Sequence, residues 1–190
     1  MDLIIKRMFD IVISMVLLGF LISPILIIFF MLKNSSNESG IYYSDRVGKN
    51  NRIFKMPKFR TMKSGTPEVA THLMKNADAH TTKIGKFLRK TSLDELPQLW
   101  SVIKVDMVLV GPRPALYNQY DLIKLRTSKG VDKLTPGITG RAQINGRDEI
   151  SIEQKVQFDT YYLERQSILF DLEILFKTFI QSALRRNISH

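Results

Sequence analysis

Residues 11 to 32, IVISMVLLGFLISPILIIFFML, run for 22 positions without a charge. As a helix at 1.5 Å per residue the run is about 33 Å long, against a hydrocarbon core of about 30 Å. A segment of this kind belongs in lipid, which makes the chain a membrane segment joined to something else. A cleaved signal peptide is the rival, but the run is long for such a leader, Asp10 abuts it and no A-x-A-like site follows. Pro24 removes a backbone donor and crowds the turn before it, predicting two helical pieces, Ile11 to about Ser23 and Ile25 to Leu32, joined at a kink. Neither piece spans alone. Lys6 and Arg7 precede the run, and Lys33, Arg46, Lys49, Arg52, Lys55, Lys58 and Arg60 follow it, so the positive-inside bias draws both ends to the cytoplasmic side. A broken helix that enters and leaves by one face satisfies both ends, with Ser23 able to bond backbone freed by the proline. An ordinary kinked single span stays open on these residues alone.

At 190 residues the chain has room for one domain with a real core and too little for two comfortable ones. The expected layout is a membrane helix over 1–33, a linker over 34–40 and a soluble domain over 41–190. There are no cysteines, and His72, His80 and His190 match no zinc spacing, so any metal is oxygen-ligated. A balance of 28 Lys+Arg to 18 Asp+Glu, formal net charge +10, predicts an anionic partner: nucleic acid, a phosphorylated small molecule or an anionic bilayer surface.

Strand-type residues on either side of GKNN predict a short hairpin, with Pro57 favouring an edge or bulge. Residues 65 to 79 read as a loop or short helix. TKIGKFLRK, residues 82–90, reads as an amphipathic basic helix suited to a membrane surface. A helix is expected from the acidic pair to about Lys104 and another from about Ala115 to Ser128. Ser151 and Gln154 form a capping box for the first of two closing helices. In the last, Leu172, Leu175, Phe176, Phe179, Ile180 and Ala183 share one face. Core packing is the favoured reading of that stripe, partial immersion in the membrane the alternative. The fold class is α+β and helix-rich.

TSLDELPQLW, residues 91–100, places Asp94 beside Glu95 in a basic chain. A helix start explains the pair without chemistry: Ser92 and Glu95 match S-x-x-E, and Asp94 as cap would put Pro97 in the first turn. P-loop and dinucleotide fingerprints are missing. Phosphate must therefore be held another way, and Arg60 in KFRTM, Arg113 in GPRP and Arg147 in NGR stand beside residues that stiffen or open the backbone. Paired carboxylates can hold Mg2+ together with substrate phosphates, or an aspartate can attack phosphorus.

KRMFD, the apolar run with Ser-Pro, KFRTM, SLDELPQLW, VGPRP and PGITGRAQINGR, in this order, resemble the bacterial sugar transferase family, the monotopic polyprenyl-phosphate phosphoglycosyl transferases. The resemblance covers essentially the whole chain, and the chain looks like a member reduced to its catalytic core. It implies transfer of a sugar 1-phosphate from a UDP-sugar to undecaprenyl or another polyprenyl phosphate, releasing UMP, at the start of glycoconjugate assembly. Asp94 would be the nucleophile of a covalent phosphosugar intermediate, and Glu95 would assist through Mg2+ or proton transfer. Both carboxylates are the expected metal ligands. Arg60, Arg89, Arg113, Gln143 and Arg147 form the expected substrate-binding set, with Arg89 toward the polyprenyl phosphate and Arg113 and Arg147 toward the diphosphate. The family also implies a re-entrant helix broken at Ser23-Pro24, amphipathic interfacial helices, and a location at the bacterial inner membrane with the catalytic domain on the cytoplasmic face. A homodimer is left open. Two departures stand out. Lys104-Val105-Asp106 replaces a usual Lys-Gly-Asp, and Arg141 stands where tryptophan is common. The residues around INGRDEISIEQK vary with the donor in the family, and the leaning is to an N-acetylated amino sugar.

Two other classes compete. A membrane-anchored nucleic-acid-binding module would use the basic hairpin with Phe54 and Phe59 and the GITG loop, but leaves Asp94-Glu95 and the apolar run without a purpose, so no nucleic acid is expected. A catalytically inactive scaffold at the membrane is the other.

Overall fold

The computed structural model describes residues 3–35, 39–67, 77–146 and 150–185. Helix α1 spans Leu3–Ser35. Its inward face is marked by polar residues: Lys6, Asp10 and Ser14, one turn apart, are buried, and Ile13, Leu18, Leu21, Ile25, Ile28, Phe29 and Leu32 continue that face against the domain. Ile5, Met8, Val12, Met15, Val16, Phe20, Ile22, Leu26, Ile27, Phe30 and Met31 point outward. Polar side inward and apolar side outward is the arrangement of a helix whose outer solvent is lipid. The expected division into two helical pieces is not what forms: α1 is continuous with Pro24 inside it. A proline deletes one rung of the ladder, and here packing against the domain on both sides of Pro24 holds the helical turns.

Both ends of α1 are fastened. Lys6 pairs with Asp171 and lies 3.6 Å from Asp10, while Arg7 donates to the carbonyls of Val102 at 2.6 Å and Met107 at 2.7 Å. At the other end Leu32 packs with Phe59 and Leu88.

Strands β1, Ile41–Val47, and β2, Ile53–Phe59, form the expected antiparallel hairpin, with Ile41 opposite Phe59 and Pro57 opposite Tyr43. Helix α2, Ala77–His80, lies in the expected loop or short helix, the rest of which is largely outside the described residues. Helix α3, Lys83–Lys90, is capped by Thr82. The next helix, α4, covers only Gln98–Ile103. Neither expected start at the acidic pair forms. Ser92 adopts φ 56 and makes no cap bond, Asp94 and Glu95 lie in a 3-10 turn over Leu93–Glu95, and Pro97 itself stands at the start of α4. A proline there has no donor to lose and a φ of −61 already set for a helix.

Strand β3, Val108–Val110, pairs in parallel with β4, Gly137–Thr139, a pairing not anticipated from either segment. Glycine makes it possible: a Cβ at Gly137 would lie 2.1 Å from the backbone nitrogen of Gly111. Helix α5 begins at Tyr120, five residues later than expected, and ends at Ser128. Helices α6, Arg141–Ile144, α7, Ile152–Arg165, and α8, Ile168–Arg185, close the chain, with the Ser151–Gln154 capping box in place.

The main core gathers Met56, Leu99, Val102, Met107, Leu109, Val110, Tyr162 and Ile174. The stripe on α8 does not belong to it. Phe176 and Phe179 are 65% and 72% exposed, Leu172 and Ile180 are also exposed, and only Leu175 packs inward; the Ala183 side chain is outside the described set. Asp171 and Ile174 form the buried side instead. Spacing along a helix defines a face but not what lies against it.

Arg141 occupies a cage of rings. Its guanidinium carbon lies 4.1 Å from the centroid of Tyr161, 5.4 Å from Phe170 and 5.9 Å from Phe158, a stacked planar cation tying α6 to α7 and α8.

Candidate active site

Several segments converge on and around a cavity of about 760 Å3. From α3 comes Arg89, whose Nε donates to Thr61 Oγ1 at 3.0 Å. The left-handed turn at Ser92 then reverses the chain and delivers the acidic pair. The Gly111–Pro114 loop brings Arg113, which donates to Glu95 Oε1 at 2.8 Å. That loop is held from behind: Arg126 Nη1 donates to the Arg113 carbonyl at 2.8 Å while Nε and Nη2 grip Asp159 at 3.0 and 2.7 Å. Arg46 adds a bond to the Pro114 carbonyl at 3.2 Å. From β2, Lys58 Nζ stands 4.0 Å from Glu95 Oε1.

The cavity wall includes Arg89, Glu95, Arg113 and Gln143 from the expected set. Asp94 lies just behind it, 9% exposed. Both amide atoms of buried Gln143 lack a hydrogen-bond partner among the described residues. Arg60 is elsewhere: it points away to the Ser39 carbonyl at 2.9 Å and stacks over Tyr42 at 5.6 Å. Arg147 falls outside the described residues. Lys58, Arg126 and Asp159 had no role assigned from the sequence. Lys58 is two residues from Arg60 in the same basic run, and strand alternation is the one signal that could have pointed to it.

Charge and burial compete here. Burial raises the Asp94 carboxyl above its ordinary range, and adjacent Glu95 raises it further, while Lys58, Arg89 and Arg113 pull it down. Lys58 is pushed down to about 7, chiefly by burial, then by Arg113, with Glu95 opposing. Two carboxylates side by side match the share of ligands that Mg2+ commonly takes from protein when substrate phosphates supply the rest. Among the described residues no group of three or more His, Cys, Asp or Glu could hold a metal without such help.

The remaining walls are mixed: apolar Leu17 and Leu21 of α1, Leu96, Leu99, Ile138 and Ile144, with polar Thr178, Gln181 and Ser182 of α8. A basic and acidic centre in a cavity partly walled by a long apolar helix fits a membrane-associated protein. The chain belongs to the bacterial sugar transferase family, whose model matches residues 1–185. It is 37% identical over 191 residues to a UDP-galactose-lipid carrier transferase of Erwinia amylovora, covering 91% of this chain and 39% of that protein. An undecaprenyl-phosphate galactose phosphotransferase of Salmonella typhimurium is 36% identical, with coverages of 96% and 41%. Exopolysaccharide production protein ExoY of Rhizobium meliloti is 38% identical, with coverages of 95% and 86%. The chain thus spans about two fifths of the first two relatives and most of the third.

Proposed function

We propose that this chain transfers a sugar 1-phosphate from a UDP-sugar to undecaprenyl or a similar polyprenyl phosphate, releasing UMP and starting assembly of a surface polysaccharide or other glycoconjugate. The observation that carries this reading is the pair of buried Asp94 and half-buried Glu95 among Lys58, Arg89 and Arg113 at a cavity partly walled by α1. The relatives' names supply the substrates: a UDP-galactose and lipid carrier in one, undecaprenyl phosphate and galactose in another.

The chemistry follows from the groups present. Arg113 and Lys58 draw the donor diphosphate in, replacing part of their hold on Glu95. An ionised Asp94 oxygen attacks the phosphorus that bears the sugar, the bond from that phosphorus to the bridging oxygen breaks, and UMP leaves with the electron pair. The acyl phosphate on Asp94 then carries the sugar. An oxygen of the polyprenyl phosphate, oriented by Arg89, attacks the same phosphorus, and the Asp94 carboxylate leaves, restored. Splitting one displacement into two is the gain of covalent catalysis, and Lys58, Arg89 and Arg113 favour the ionised form of Asp94 against burial and offset repulsion between carboxylate and phosphate. Asp94 and Glu95 would hold Mg2+, which neutralises phosphate charge when bound. Gln143 contributes an amide to the bound substrate.

Re-entry of α1 from the cytoplasmic face of the inner membrane is supported by its anchoring. Lys6 near one end and Leu32 near the other both rest on the same domain, so a span with its ends on opposite faces would carry that domain through the bilayer.

The test is UMP release by detergent-solubilised protein with undecaprenyl phosphate, Mg2+ and a panel of UDP-glucose, UDP-galactose and N-acetylated UDP-sugars. Asp94→Asn should lower the rate by about a thousandfold or more. Without acceptor, a phosphosugar adduct should map to Asp94. An adduct on Glu95 would reassign the nucleophile, and silence across the panel from folded protein would favour the scaffold.

A further inference from the structure

α3 is held against the domain on one side only. Gly85 sits so close to Thr61 that a Cβ there would come within 2.1 Å of the Thr61 carbonyl oxygen. Leu88 is buried with Phe59 and Leu32, and Arg89 bonds Thr61. These contacts fix the rotation of the helix about its axis. The other side presents Lys83, Phe87 and Lys90 in one stripe, at spacings of four and three, with Phe87 60% exposed. Four of the eight residues of α3 are basic and none is acidic.

Its place in the fold gives that stripe a neighbour. Ile84 and Leu88 share a cluster with Ile25, Ile28, Phe29 and Leu32, the second half of α1, where Phe30 and Met31 point outward. Arg89 and Lys90 reach the cavity wall. A phenylalanine between two lysines, beside an outward apolar helix, suits the boundary between acyl chains and headgroups. Lysines at that depth are attracted by anionic headgroups and gain little from zwitterionic ones.

We propose that the Lys83, Phe87 and Lys90 face of α3 is a docking surface for bulk anionic phospholipid of the phosphatidylglycerol type, which it gathers at the rim of the cavity. The proposal rests on the membrane reading above and not on the transfer chemistry. Trp100 is the sole tryptophan, so Phe87→Trp in a Trp100→Phe background reports on this position alone. In nanodiscs holding equal mole fractions of brominated phosphatidylglycerol or brominated phosphatidylcholine, its fluorescence should be quenched several-fold more by the former. About 0.5 M salt should erase the difference, since screening then acts over a few ångströms. Lys83→Glu should erase it too, without unfolding, because an acid suits a first helical turn; its UMP release in detergent should be unchanged. Native mass spectrometry of the wild-type chain, offered equal amounts of both lipids, should show the same preference. Equal quenching or none, and equal retention, with UMP release intact, would overturn the proposal and spare the proposed function. A chain that does not join nanodiscs at all would overturn both.

Discussion

Lys58 is held in the site at a cost. Burial and the charges of Arg113 and Arg46 outweigh the help of Glu95 and Asp94, so its ammonium titrates near 7 rather than 10.5. Between those values the unfolded chain keeps a proton that the folded chain has released, so this group's contribution to stability rises as pH climbs from 7 toward 10.5. Below 7 both states are charged and the desolvation cost is fully present. Lys58→Met should therefore raise the thermal midpoint at pH 6.5, measured in EDTA, by about 2 to 4 °C per kcal/mol relieved, with the gain shrinking by pH 9.5. The same variant should lose UMP release, a trade of function for stability. The acidic pair itself was legible in the chain, because two adjacent carboxylates before a proline are a local pattern. Lys58 was not, because its role depends on lying opposite a turn some 36 residues further along.

At the scale of elements, the turn between α4 and β3 carries a visible strain. Val105 adopts φ +70, its nitrogen bonding the Val102 carbonyl at 3.1 Å, and Asp106 returns to Ser101 at 3.0 Å. The left-handed geometry that a glycine would take freely is thus kept by a β-branched residue, at a cost of roughly 1 to 2 kcal/mol. Val105→Gly should raise the midpoint by about 2 to 4 °C, net of the entropy glycine adds to the unfolded chain, and leave UMP release unchanged. Arg141, where the resemblance leads one to expect tryptophan, behaves differently: its planar cation lies among three rings. The hairpin, basic α3 and the Ser151 cap were readable because each is set by residues within a turn or two. The starts of α4 and α5 were not, since several residues nearby could begin a helix and packing chose among them.

Across the whole molecule, α1 is tied to the rest of the fold through a buried polar knot. Asp171 of α8 accepts from Tyr162 at 2.6 Å and pairs with Lys6, all in the interior. Asp171→Ala should cost about 3 to 5 kcal/mol, because Lys6 would keep only Asp10 as counter-charge, and thermal unfolding in detergent should show it. Asp171→Asn, whose amide oxygen still accepts from Tyr162, should lose less. The sequence by itself determined that a lipid-seeking helix heads the chain, that a helix-rich α+β domain follows and that a carboxylate pair stands among cations, since composition and short-range spacing suffice for each. The parallel β3–β4 pair, the meeting of Lys58, Arg113 and Glu95, and the outward turn of the α8 stripe were decided only in three dimensions. Those outcomes depend on contacts between distant segments, and an apolar side chain is equally content against protein or lipid until the fold assigns it one of them.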